Sequence, residues 1–216
     1  MGQMKIYDFP GGPYVTRVRM ALAENNLQSL VEYVLVDLTK GEHKKPDLLA
    51  KNYSGTLPVL EIEPGLFLSE CTAITEYLDN LDGKPKLTGV TPKEKGIIHM
   101  MNHRAEIELL DPFSVYFHNS TPGLGPEVEI YQNNEWGLHQ RAKSVKGMHY
   151  FDSVLRKQPF IAGNTFSMAD ITVVGGLIFG AMLKVPIPEE CDALIEWYAR
   201  MQTRSSFINR VTMSNS

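Results

Sequence analysis

Cysteine is scarce in this chain. Cys71 and Cys191 are its only two, with no metal-type spacing and no disulfide framework. That excludes a small disulfide-stapled or zinc-stapled fold and fits a reducing compartment. Excess positive charge is also missing: the formal charge is −4, and no stretch is enriched in Lys or Arg, which argues against a nucleic-acid partner. Long apolar runs are absent too. The longest, Ile171 to Leu183, is too short to span a bilayer and reads as a buried helix, so no membrane partner is expected. The first residues turn polar again at Asp8, without a signal-peptide core, and Gly2 lacks the Ser/Thr pattern of a myristoylation signal. A cytoplasmic protein without a metal site is expected.

What is present is ordinary globular material. Hydrophobic residues make up 43% and charged residues 21% of 216, enough for one large domain or two small ones. Met4 to Tyr7 reads as a strand, and Pro10-Gly11-Gly12-Pro13 as a turn. Val15 to Asn25 has helical spacing, and Leu30 to Leu38 alternates as a strand. A loop and short charged helix over 40–51, a hairpin over 57–68 and a helix over 71–80 complete an α/β unit. Its element order is thioredoxin-like. The Gly-, Pro- and Lys-rich stretch Asp82 to Pro92 reads as a connection. Everything after Lys93 has helical periodicity, interrupted at 121–126 and 186–188. The predicted organisation is an α/β thioredoxin-like domain over 1–82, a linker over 83–92 and an all-α domain over 93–216.

The richest stretch is Gly55 to Leu78. Pro58 there marks a strand start, a sheet edge or a cis peptide. A helix beginning just after Ser69-Glu70-Cys71 aims backbone N–H groups and a positive dipole end at an anion. Together these features point to a site that holds a short peptide by its backbone and grips a carboxylate. Farther along, Ser167 and Asp170 have the spacing of a capping box, a structural signal and not a site.

Three motifs in order carry a resemblance: Gly55-Thr56-Leu57-Pro58-Val59-Leu60, Glu70-Cys71-Thr72-Ala73-Ile74, and Ala162-Gly163 followed by Ser167-Met168-Ala169-Asp170. The chain resembles the cytosolic glutathione transferases over essentially its whole length. Lys51-Asn52-Tyr53-Ser54-Gly55 and Ser114-Val115-Tyr116-Phe117-His118 are most similar to the atypical yeast-type subgroup. The resemblance implies glutathione as co-substrate, small electrophiles as its partners in conjugation, and a homodimer. It implies that the backbone of Leu57, before Pro58, pairs with the cysteinyl part of glutathione. Glu70 suits the γ-glutamyl ammonium, and the N–H and side chain of Cys71 suit the carboxylate. The family's usual serine is Cys71 here, and a thiol is the weaker donor. His43 and Lys44 lie where relatives bind the glycine carboxylate, although Lys44-Lys45 also reads as a solvated pair.

Glutathione chemistry needs thiolate near pH 7. A free thiol titrates near ~8.5, and lowering it by roughly two pH units takes about 2.7 kcal/mol. A helix N-terminus supplies only ~0.3–2 kcal/mol. Most classes add a Tyr, Ser or Cys in the first loop, where this chain has Gly12-Pro13-Tyr14. Three substitutes are available: Tyr7, Tyr14, and Ser114 with His118, four residues apart on one helix face. The first reads as core and the second as aromatic packing. The subgroup resemblance favours Ser114 and His118 holding a water that serves the sulfur. A helix restarting after Asp111-Pro112 is expected to carry both. Tyr14, Tyr116 and Phe117 are the candidate pocket wall. The alternative is a glutathione-transferase-like binding or regulatory protein without conjugating activity, motivated by Gly12.

Overall fold

The computed structural model describes residues 3–211. The reading of Met1-Gly2 as carrying no lipidation signal therefore falls outside the described residues. Contacts divide the chain into two compact units: the residues up to Pro85 together with the segment from Ser205, and Lys86–Arg204.

The first unit runs β1 (Met4–Asp8), α1 (Pro13–Glu24), β2 (Val31–Leu35), α2 (Pro46–Leu49), β3 (Val59–Glu63), β4 (Leu66–Leu68) and α3 (Cys71–Asp79). Its sheet has the order β2-β1-β3-β4, with β1 and β2 parallel and the other pairs antiparallel. This is the thioredoxin-like arrangement. Alternation along β1 buries Met4, Ile6 and Asp8 on one face. Ile6, Val18, Leu22, Leu60, Ile74 and Leu78 meet in one core between the sheet and the helices α1 and α3. Pro13 opens α1, where its fixed φ suits the helix and its missing N–H costs nothing.

Asp8 and Arg19 form a buried ion pair, Arg19 Nε donating to Asp8 Oδ2 at 2.6 Å. Arg19 also donates from Nη1 to the Arg210 carbonyl at 3.2 Å. That contact explains a difference from the sequence reading, which puts residues up to 216 in the helical domain. The described end of the chain, α9 (Ser205–Ile208) and the turn Asn209–Val211, packs on α1 instead. A polar Arg at an apolar position of α1 gave no hint of its distant acceptor.

The second unit is all helical: α4 (Pro92–Ala105), α5 (Asp111–Ser120), α6 (Asn134–Leu155), α7 (Met168–Met182) and α8 (Asp192–Gln202). Leu87 and Thr88, from the stretch expected as a linker, are buried in this unit, and Met168 N donates to the Leu87 carbonyl at 3.0 Å. The apolar run near 171–183 lies in α7, which is buried along most of its length. Among the described residues, no helix is long and apolar enough to cross a membrane.

The expected restart after Asp111-Pro112 is replaced by a continuous path. Residues Glu106–Leu110 form a π-helical turn joining α4 to α5. Proline at 112 has no N–H, and its ring would clash with the carbonyl four residues earlier, at Glu108. Widening the helix relieves that clash, and π turns of this kind are frequent at functional sites. The released carbonyls are accommodated by α6. Ser144 Oγ donates to Leu109 O at 3.1 Å, and Gly147 lets Glu108 O approach so closely that a Cβ would lie 2.1 Å from it. Gly147→Ala is expected to destabilise the protein by about 1–3 kcal/mol through overpacking. A denaturant midpoint unchanged from wild type would show that the helices separate without cost.

Candidate functional site

Within the first unit, the segment from Asn52 to Thr72 is organised by its own side chains. Asn52 is buried and donates from Nδ2 to Thr56 O and Thr56 Oγ1, both at 3.0 Å, while its Oδ1 accepts from Ser54 Oγ at 3.0 Å. Gly55 has φ +58, and a Cβ there would lie 2.7 Å from the His43 carbonyl, so only glycine fits without displacement. The Leu57–Pro58 peptide is cis, and β3 begins directly after it at Val59. Of the three readings open for Pro58, the cis peptide before a strand is the one found.

Glu70 closes the hairpin and caps α3 with φ 68 and ψ 118, a conformation rare for a residue with a Cβ. Such strain costs on the order of 1–3 kcal/mol and collects at ligand clamps. Its carboxylate is exposed. The helix behind it begins at Cys71, so its first N–H groups have no intrahelical acceptors. The Cys71 thiol is buried and donates to the Tyr14 carbonyl at 3.4 Å. It is therefore engaged inward, and an anion at this helix end is left with the backbone and not the side chain. Arg17 adds positive charge here: it is buried, and its Nη2 donates to Thr72 Oγ1 at 3.3 Å in the first turn of α3.

His43 and Lys44 lie in a short 3-10 turn over Glu42–Lys44. His43 is buried, at 4% exposure. Lys44 is exposed, but its Nζ donates to Ser54 O at 3.3 Å and Gly55 O at 3.1 Å. The ammonium thus ties the turn to the Asn52–Gly55 loop and is not a freely solvated charge.

Tyr7 is not core. Its hydroxyl donates to Glu61 Oε2 at 3.0 Å, and burial together with that carboxylate pushes its pKa up to about 12. A phenol held that way is a poor source of an activating proton. Tyr14, at the start of α1, packs against the core of the first unit.

In the second unit, Ser114 and His118 lie in α5, about 6 Å apart along the helix axis. Among the described residues Ser114 Oγ has no hydrogen-bond partner. His118 Nδ1 lies 2.7 Å from Glu129 Oε1, and the imidazole remains 39% exposed. Phe117 packs edge-on against His118 at 4.9 Å and against Phe179 at 5.6 Å, while Arg141 lies over the Tyr116 ring at 5.9 Å. These two aromatics are thus partly committed to packing within the helical unit. Among the described residues there is no cluster able to hold a metal.

Asn52, Arg17 and Glu129 organise these segments through contacts to which the sequence reading assigns no role. Only Asn52 leaves a local signal, an Asn two residues before Ser as in an Asx turn. Arg17 and Glu129 act on partners 55 and 11 residues away.

Comparison with known proteins covers both units. Residues 6–86 match the model of the glutathione S-transferase N-terminal domain, and residues 113–205 that of the C-terminal domain. Glutathione S-transferase 2 of Saccharomyces cerevisiae is 67% identical over 204 residues, covering 94% of this chain and 88% of that protein. The crystal structure of Gtt2 from Saccharomyces cerevisiae aligns with a TM-score of 0.94 at 66% identity, over 95% of this chain and 99% of that one. A glutathione S-transferase domain-containing protein of Marinobacter aquaeolei aligns at 0.91 with 45% identity, over 94% and 99%. With such identity running through nearly the whole chain, this protein belongs to the glutathione S-transferase family and is a glutathione transferase.

Proposed function

We propose that this enzyme joins the thiolate of glutathione to small electrophiles, and that a water held by Ser114 and His118 lowers the thiol's pKa. Glutathione is the co-substrate. Leu57 and Pro58 present the backbone to its cysteinyl part, Glu70 takes the γ-glutamyl ammonium, and the N–H at Cys71 takes the carboxylate. His43 and Lys44 serve the glycine end. Because the Lys44 ammonium already ties down Ser54 and Gly55, its part is to shape the loop and lend charge. Tyr14, Tyr116 and Phe117 border the electrophile.

The observation that carries the activation step is a pairing of absence and presence. Gly12, in the loop before α1, offers no side chain to a sulfur. Ser114 and His118 share one face of a helix, with a hydroxyl that has no protein partner among the described residues and an imidazole whose Nε2 has none. That combination, together with the family, supports a reading of this chain as a member of the atypical yeast-type subgroup that lacks a Tyr, Ser or Cys activator. The protein works in the cytoplasm as a homodimer; family membership supports both parts of this reading, and two buried cysteines that form no disulfide suit a reducing compartment.

Turnover of a chlorodinitrobenzene-type substrate tests the conjugating reading. Gly12 also favours a second reading, a binding or regulatory protein that has lost the chemistry. Calorimetry showing no glutathione binding at millimolar concentration, with no conjugation, would select it. The cradle has its own test. Glu70→Gln removes the charge that faces an ammonium and is expected to raise the KM for glutathione about tenfold or more, as for a lost charged hydrogen bond of ~1.5–3 kcal/mol, with kcat little changed. A KM within twofold of wild type would remove Glu70 from the cradle.

A further inference from the structure

Glu129 belongs to the irregular segment 121–133 between α5 and α6, yet its carboxylate is a fixed part of the second unit. Its side chain is 8% exposed. Oε1 accepts from Leu124 N at 2.9 Å and lies 2.7 Å from His118 Nδ1. Gly123, at φ +55, is what makes room for it: a Cβ there would lie 2.2 Å from Oε1 and 2.6 Å from Cδ. The segment around it is tied to the end of α5. Thr121 Oγ1 donates to Phe117 O at 2.7 Å, Gln132 Nε2 donates to His118 O at 2.9 Å, and Asn133 N donates to Asn119 Oδ1 at 2.9 Å. A surface ion pair would have none of this scaffolding, and would contribute little.

An ionised carboxylate can only accept a hydrogen bond. Beside such an acceptor Nδ1 carries the proton, and in the neutral form of the ring Nε2 then holds the lone pair. We propose that Glu129 is a positioning residue that holds His118 in the Nδ1–H tautomer, so that Nε2 accepts from the activating water. This rests on the Ser114/His118 reading above. Without the carboxylate, either nitrogen of His118 can carry the proton and the ring is free to turn. In the wrong tautomer Nε2 already carries a proton and donates to the water, so it has no lone pair to receive the proton that the thiol passes through that water. The second contact on the ring, the Phe117 edge at 4.9 Å, restricts its tilt but cannot choose a tautomer.

Long-range proton–nitrogen NMR spectra of the full-length protein, with His118 assigned by its loss in His118→Ala, report the tautomer directly. The wild-type spectrum near neutral pH is expected to show Nδ1–H. An Nε2–H tautomer there overturns the proposal without any variant. Glu129→Ala is expected to change the tautomer and lower kcat about tenfold, leaving the KM for glutathione within twofold. Glu129→Gln keeps an oxygen for both Nδ1–H and Leu124 N–H, and should restore the tautomer and most of kcat. A merely structural Glu129 would alter unfolding but not the tautomer. If kcat survives His118→Ala, the underlying activation reading falls. If kcat falls in His118→Ala but a folded Glu129→Ala keeps both tautomer and kcat, only the role of Glu129 falls.

Discussion

Replacing Ser114 and His118 together by alanine is expected to cost activity in a pH-dependent way. If the water they hold brings the glutathione thiol from ~8.5 to roughly 6.5, about half is thiolate at pH 6.5 in the wild type and about 1% in the double variant. The rate at saturating glutathione should therefore fall about fifty-fold at pH 6.5. The sign follows from the direction of the shift: losing an activator raises the thiol's pKa, so the deficit is largest in acid and closes as pH rises past ~8.5. Above about pH 9 the two proteins should differ less than twofold. Each single variant should lie between, because one partner still anchors the water. Ultraviolet titration of the bound thiolate provides the same reading without turnover. A deficit of equal size at every pH would mean that the residues shape the electrophile pocket, and neither residue changing a measurable rate would discard the water altogether.

Loss of the Asp170 carboxylate is expected to have the largest effect on stability. Asp170 is fully buried at the start of α7. It accepts from Ile161 N at 2.9 Å, Ser167 N at 2.9 Å and Ser167 Oγ at 3.0 Å. Asp170→Ala strands these buried donors, each costing ~1–3 kcal/mol, and a total near 4 kcal/mol is expected. For a chain of this size the melting temperature should fall by about 10 °C. Burial pushes the Asp170 pKa up to about 6 from the ordinary 3.8, against the pull of its hydrogen bonds. A carboxyl raised in the folded state stabilises most below the unfolded pKa, and loses that contribution as pH rises through about 6. The destabilisation by Asp170→Ala should thus be larger at pH 5 than at pH 7, by roughly 1 kcal/mol. Denaturant unfolding at the two pH values tests this, and a constant difference would mean that Asp170 keeps one protonation state throughout.

The β1–α1–β2 order, the hairpin turning at Glu63-Pro64-Gly65 and the helix opening at Cys71 were all legible because each rests on local rules. Strand alternation, a turn-forming Pro-Gly pair and an apolar helical stripe act within a few residues. The Ser167–Asp170 capping box is legible for the same reason, since both partners lie within one turn. Lys44 was less so: a Lys-Lys pair looks alike whether it meets a ligand, water or, as here, two carbonyls ten and eleven residues on. Likewise the letter at position 71 shows a thiol for a hydroxyl, but not that the thiol points at Tyr14 O, 57 residues away.

By itself the sequence determined the thioredoxin-like and helical architecture, the strand opening at Pro58 and the helix opening after Glu70, and the i, i+4 pairing of Ser114 with His118. These follow from periodicity, turn chemistry and motif order, which are properties of neighbouring residues. Only the tertiary structure decided that the helix through Pro112 stays unbroken, because a serine and a glycine on α6 receive the displaced carbonyls. It also decided that the end of the chain returns to α1, and that His118 faces a buried carboxylate. Those outcomes depend on which side chains meet after packing, and a hydrogen bond between distant residues leaves no periodic trace in the chain.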